Sequence, residues 1–123
     1  MLHVLTIDDS PVFLDVFNDL LERFPDVRVV ASARNGEEGL AAAGEYQPHL
    51  AFVDIHMPGL NGLEVTERLR QRHPSIRVVV TSLMDDESCQ HSAASAGAER
   101  FVSKRNLFHQ LPEILQSRQE CTC

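Results

Sequence analysis

The chain has 123 residues, a length that suits one domain around one core. Its 18 acidic residues outnumber 11 basic ones for a formal net charge of −7, and with no long basic run this argues against direct nucleic-acid binding. No apolar stretch approaches the length of a membrane span, and the opening MLHVLTIDDS is too short and too acidic for a signal peptide, so a cytoplasmic address is the expectation.

Strand-like and helix-like segments alternate along the chain. HVLTID (3–8) is short, apolar and partly β-branched, as a buried strand is. SPVFLDVFNDLLERF follows, with Ser10 as N-cap and Pro11 at the first helical position. Its residues Phe13, Val16, Phe17, Leu20, Leu21 and Phe24 recur at helical spacing, while Asp15, Asp19, Glu22 and Arg23 take the other face. VRVVASA (27–33) reads as a second strand and GEEGLAAAGEY (36–46) as a short Ala-rich helix. HLAFVD (49–54) is the third strand; a Pro- and Gly-rich loop leads from it to a helix from about Gly62 to Arg72, ended by His73-Pro74.

IRVVVTS (76–82) is the fourth strand, and DDESCQHSAASAG (85–97) a weaker helix that stops at Gly97. ERFVSK (99–104) is the fifth strand, and the final helix runs from about Leu107 to Gln119. Pro112 lies inside that helix, so a kink or a late start is expected. The domain is placed at 1–119, with 120–123 as a short tail. Cys89, Cys121 and Cys123 lack the spacing of a disulfide framework and read as reduced thiols, and the histidines show no ligand spacing.

Five βα units with short connections describe a doubly wound α/β fold, a parallel sheet with helices on both faces. The crevice of such a sheet lies beyond the carboxyl ends of its strands. Strand one ends in Asp8-Asp9, strand three in Asp54, strand four in Thr81-Ser82 and strand five in Lys104. Each single residue has an ordinary reading, the aspartates as turn formers or helix caps, Lys104 as a solvated cation and Thr81 as a β-branched strand residue. Gathered at one edge, they place three carboxylates, a hydroxyl and an ammonium in a small volume. Carboxylates so crowded are relieved by protonation or by a cation, and a hard ion such as Mg²⁺, which takes few protein ligands, fits. An ammonium and a hydroxyl beside them suit the reception of a phosphoryl group, with a carboxylate as nucleophile.

With these motifs the chain resembles the receiver domain of two-component response regulators, from about Leu2 to Gln116. The resemblance rests on the acidic pair DD after strand one, VDIHMPGLNG around Asp54, VVVTS ending strand four and FVSK ending strand five. It implies the flavodoxin-like strand order 2-1-3-4-5. It further implies Asp54 as phosphoacceptor, Asp9 as a direct Mg²⁺ ligand, Asp8 acting mainly through water, and the backbone carbonyl of His56 as another ligand. Thr81 would be the hydroxyl that moves towards the phosphoryl group, Lys104 its counter-charge, and Phe101 the aromatic switch, a residue that also reads as plain core. Arg105 follows Lys104 where the family often has proline, which removes the usual reason for a cis peptide there.

The implied function is that of a signalling phosphoacceptor rather than an enzyme, phosphorylated by a sensor histidine kinase or a phosphotransfer protein. Its response would pass through the face of the fourth helix, fifth strand and fifth helix to an output domain, a partner or a second copy in a homodimer. Two other readings stand beside it: a degenerate receiver used as an unphosphorylated interaction module, and a phosphatase with an aspartyl nucleophile. The phosphatase would usually carry Asp-x-Asp after strand one, where this chain has IDDSP.

Overall fold

The computed structural model describes residues 1–84 and 87–116. Strands β1 (Leu2–Ile7), β2 (Val27–Ala33), β3 (Leu50–Asp54), β4 (Arg77–Ser82) and β5 (Arg100–Ser103) alternate with helices α1 (Pro11–Leu21), α2 (Gly36–Tyr46), α3 (Gly62–Arg72), α4 (Glu87–Ala96) and α5 (Lys104–Gln116). All strand pairs are parallel, in the order β2-β1-β3-β4-β5.

Side chains of a strand alternate between faces, and here both faces are covered. Leu5, Ile7, Ala51, Val53, Val78 and Val80 pack with Val65, Leu69 and Ala93, which are residues of α3 and α4. Val4, Leu50, Phe52, Val79 and Val102 pack with Phe17 and Leu21 of α1 and with Leu107, Leu111 and Ile114 of α5. Every residue of β3 is therefore buried, the terminal Asp54 included. This is why an apolar run reads as continuous rather than alternating in a doubly covered sheet.

The helix starts follow local chemistry. Ser10 Oγ accepts the Phe13 N–H at 3.2 Å, capping α1 with Pro11 just inside it. Asn61 caps α3 with its side-chain oxygen on the N–H groups of Leu63 and Glu64, while Glu64 reaches back to the Asn61 N–H. α1 is also pinned to the sheet: Thr6 Oγ1 donates to Asn18 Oδ1 at 2.9 Å, and the Asn18 amide donates to Ser32 Oγ at 2.6 Å. At the opposite end of the sheet from the strand termini, Arg77 forks onto both Glu99 carboxylate oxygens at 2.7 and 2.6 Å and donates to the Ile114 carbonyl at 2.9 Å.

Two expectations are corrected. The last helix has no late start at Pro112; it begins at Lys104, earlier than the Leu107 expected, and continues through Pro112 to Gln116. The apolar stripe Leu107, Leu111, Ile114 and Leu115 is buried along it, and that burial outweighs the loss of one helical N–H. Lys104 is consequently the first residue of α5, and β5 ends at Ser103. Likewise α1 ends at Leu21, and Phe24 lies in the following turn, whose N–H bonds the Leu21 carbonyl. The expected beginning of α4 at Asp85-Asp86, the last turn to Gln119 and the tail with Cys121 and Cys123 lie outside the described residues.

Candidate functional site

The parallel order carries the ends of β1, β3, β4 and β5 to one edge. Asp8 and Asp9 follow β1, Asp54 closes β3 opposite Thr81 of β4, and Lys104 follows β5. One carboxylate oxygen each from Asp8, Asp9 and Asp54 lies within 4.8 Å of the others. Asp8 and Asp54 are buried, at 2% and 4% exposure, whereas Asp9 faces solvent.

The buried carboxylates are held by a small set of donors. Asp8 Oδ1 accepts the Ser10 N–H at 2.9 Å, which ties it to the start of α1. Asp8 Oδ2 has Lys104 Nζ at 2.7 Å as its ion-pair partner, and the same ammonium stands 3.8 Å from Asp54 Oδ1. Asp54 accepts a hydrogen bond from the His56 backbone. Burial, and next the charge of Asp8, push the Asp54 pKa up to about 6, against the downward pull of Lys104 and of the His56 N–H. At neutral pH the carboxylate is still mainly ionised, so it is available as a nucleophile while being poorly solvated.

Thr81 is buried, and among the described residues its hydroxyl makes only a long contact of 3.5 Å to the Val53 carbonyl. A bond at that distance is weak, so little holds the side chain away from a better acceptor. Phe101 is half-buried and packs against the core on the α3–α4 side, beside a small cleft with Gln90 and Ala94 of α4. The His56 side chain is exposed. The structure thus brings Asp8, Asp9, Asp54, Thr81 and Lys104 to one edge and sets Phe101 on β5. No peptide bond among the described residues is cis, that of Lys104-Arg105 included.

Several contributors escape a reading of the sequence. Phe13 reads there as one more apolar position of α1, yet its ring centroid lies 4.3 Å from Lys104 Nζ. Gly62 reads as a turn glycine, yet it is where α3 crosses closest to the site: a Cβ there would run into the Asp54 carbonyl and lie 2.7 Å from Ile55 Cα. One signal was available in the chain itself. Lys104 is its only lysine, every other basic residue being arginine.

Comparison with known proteins bears on this geometry directly. The family model of the response regulator receiver domain matches residues 4–116. Over 101 residues, 82% of the chain, the sequence is 38% identical to the nitrate/nitrite response regulator protein NarL of Escherichia coli K12, of which it covers 47%. It is 34% identical over 103 residues, 84% of the chain, to the transcriptional regulatory protein DegU of Brevibacillus brevis, of which it covers 44%. The chain therefore spans about half the length of these curated relatives. The response regulator domain of Thermotoga maritima CheB superposes with a TM-score of 0.85 at 29% identity, covering 98% of this chain and 95% of that one. Acidic strand ends, sheet order and sequence relatives converge, and the chain belongs to the receiver domains of two-component response regulators, which are phosphorylated on an aspartate.

Proposed function

We propose that Asp54 is the phosphoacceptor of this receiver, with Asp8, Asp9, Thr81 and Lys104 as its working partners. The carrying observation is the buried Asp54 carboxylate at the end of β3, with the Lys104 ammonium 3.8 Å away and bound to Asp8. An Asp54 carboxylate oxygen attacks the phosphorus of a phosphodonor, the bond from phosphorus to the donor breaks, and the donor leaves with that electron pair. An aspartyl phosphate results. The Lys104 ammonium, released from Asp8, pairs with a phosphoryl oxygen, and the Thr81 hydroxyl donates to another.

The site's chemistry fits a hard divalent cation. Three carboxylates offer oxygen atoms within 4.8 Å of one another, and the nearby Lys104 meets only part of their charge. Asp8, Asp9 and Asp54 would hold Mg²⁺, with the His56 carbonyl as the ligand that the family resemblance adds. When bound, such an ion neutralises phosphoryl oxygens and the crowded carboxylates.

The donor in this reading is a sensor histidine kinase or a phosphotransfer protein, and the setting is the cytoplasm. The domain extends over 1–119. Thr81, drawn to the phosphoryl group, moves the loop that follows β4; Phe101 turns into the space released; and the α4–β5–α5 face changes shape for an output domain, a partner or a second copy. A phosphatase reading is disfavoured because Ser10 and Pro11, the cap and first residue of α1, stand two positions beyond Asp8 and Asp9 where a second carboxylate would be needed.

Acetyl phosphate with Mg²⁺ tests the assignment. The intact mass should rise by one phosphoryl group and return to its starting value with hydroxylamine, which cleaves acyl phosphates and spares phosphoserine. Asp54→Ala should remain unlabelled; full labelling of that variant would remove Asp54 from the role.

A further inference from the structure

Lys104 is held from three sides, and one of them is aromatic. Its ammonium lies 2.7 Å from Asp8 Oδ2, 3.8 Å from Asp54 Oδ1 and 4.3 Å from the centroid of the Phe13 ring. The side chain is only 10% exposed, so water meets little of its charge. A cation over a ring face is attracted by the ring quadrupole, and more strongly where both are desolvated.

The ring is itself fixed in place. Phe13 stacks on Phe17 at 5.3 Å with 24° between the planes, and Phe17 meets Phe52 of β3 edge-on at 4.9 Å. Phe17 is fully buried. The backbone of Phe13 is fixed as well, because its N–H bonds Ser10 Oγ and the Ser10 N–H bonds Asp8 Oδ1. The carboxylate and the ring that hold the ammonium are thus parts of one rigid corner, built at the start of α1 and braced against the strand that carries Asp54. Packing alone does not require an ammonium here, and an aliphatic residue at position 13 would fill the core side of the corner without attracting the cation.

We infer that Phe13 is a positioning residue for phosphoryl acceptance: its ring face holds the Lys104 ammonium in the crevice between Asp8 and Asp54, ready for the incoming phosphoryl oxygens. This rests on the reading of Asp54 as phosphoacceptor. Without the ring, the flexible four-carbon stem lets the ammonium sample positions from which it must be recovered before each transfer, and the transfer slows. A tyrosine keeps the ring and its quadrupole, so it restores the arrangement; a leucine keeps only the apolar volume.

The chain's single lysine makes the test direct. In protein labelled with ¹³C-lysine, the ε-methylene signals belong to Lys104 alone, and the ring current of Phe13 should hold them upfield of their unfolded position. Phe13→Leu should return them downfield, and Phe13→Tyr should keep them upfield. The initial rate of labelling by acetyl phosphate should fall roughly fivefold in Phe13→Leu and recover in Phe13→Tyr. In a Lys104→Met background, Phe13→Leu should cost nothing further, whereas a general packing defect would slow both backgrounds alike. Backbone amide spectra of each variant show whether the fold is kept; if Phe13→Leu fails to fold, Phe13→Met carries the same comparison. Unmoved lysine signals, or equal losses in both backgrounds, would overturn the role of Phe13 while leaving Asp54 as acceptor. Persisting labelling of Asp54→Ala would instead overturn the underlying assignment.

Discussion

At pH 7 Asp54 carries its charge in a place that disfavours it. Burial and the neighbouring Asp8 raise its pKa from 3.8 to about 6. A carboxylate whose pKa is raised on folding binds its proton more tightly in the folded state. The contribution of Asp54 to stability therefore falls as pH rises through the interval from about 4 to 6 and stays lower above it. At 1.36 kcal/mol per pH unit, the penalty at pH 7 is on the order of 2–3 kcal/mol. With a chelator present, Asp54→Asn should raise the melting temperature at pH 7, and the gain should shrink towards pH 4; thermal melts across that range check it. Thr81 is the second residue whose local state matters, because among the described residues its hydroxyl is tied only by the 3.5 Å contact to Val53. Thr81→Ala should still accept phosphate at Asp54 but transmit it poorly. Amide shift changes over Glu87–Phe108 on phosphorylation should be much smaller in the variant than in wild type, and equal changes would take Thr81 out of the relay.

Among the elements that lend the site no side chain, α3 packs against the backbone of Asp54, and the contact depends on one missing side chain. Gly62 brings the first turn of α3 against the Asp54 carbonyl and donates its own N–H to the Ile55 carbonyl at 3.0 Å. Because a Cβ would meet backbone rather than a flexible side-chain end, Gly62→Ala should destabilise by about 1–3 kcal/mol and displace Asp54. Urea denaturation and the Asp54 amide shift report the two effects separately. Most elements were legible from periodicity and punctuation: Ser10-Pro11 opens α1, Asn61-Gly62 opens α3 and Gly97 follows α4. The start of α5 was not. ERFVSK runs from strand to helix without a turn residue, so the sequence offers no mark at Ser103-Lys104, and Pro112 suggested a later beginning than burial of the Leu107–Leu115 stripe allows. The polar strand ends were legible because each interrupts an apolar run. The Phe13 contact was not, because it depends on the packing of α1 beside α5, two elements far apart in the chain.

The molecule separates its anchoring from its chemistry. The Arg77 fork ties the start of β4 to Glu99 and to the end of α5, while Thr81 stands four residues further along β4, roughly 13 Å away. Arg77→Met removes the guanidinium donors to the Glu99 carboxylate and the Ile114 carbonyl and should cost about 1–3 kcal/mol of stability. Labelling at Asp54 should stay within about twofold of wild type, since the site and the clamp share no side chain; a denaturant curve and an initial-rate assay decide both parts. In the proposed mechanism the sheet delivers one nucleophile, Asp54, to the edge that also carries Asp8, Asp9, Thr81 and Lys104. Borohydride reduces an aspartyl phosphate to homoserine, so tandem mass spectrometry of reduced, phosphorylated protein reads the acceptor residue directly. Homoserine at position 54 and at no other aspartate is the predicted result; homoserine at position 8 or 9, or a phosphoryl label that resists reduction, would contradict it.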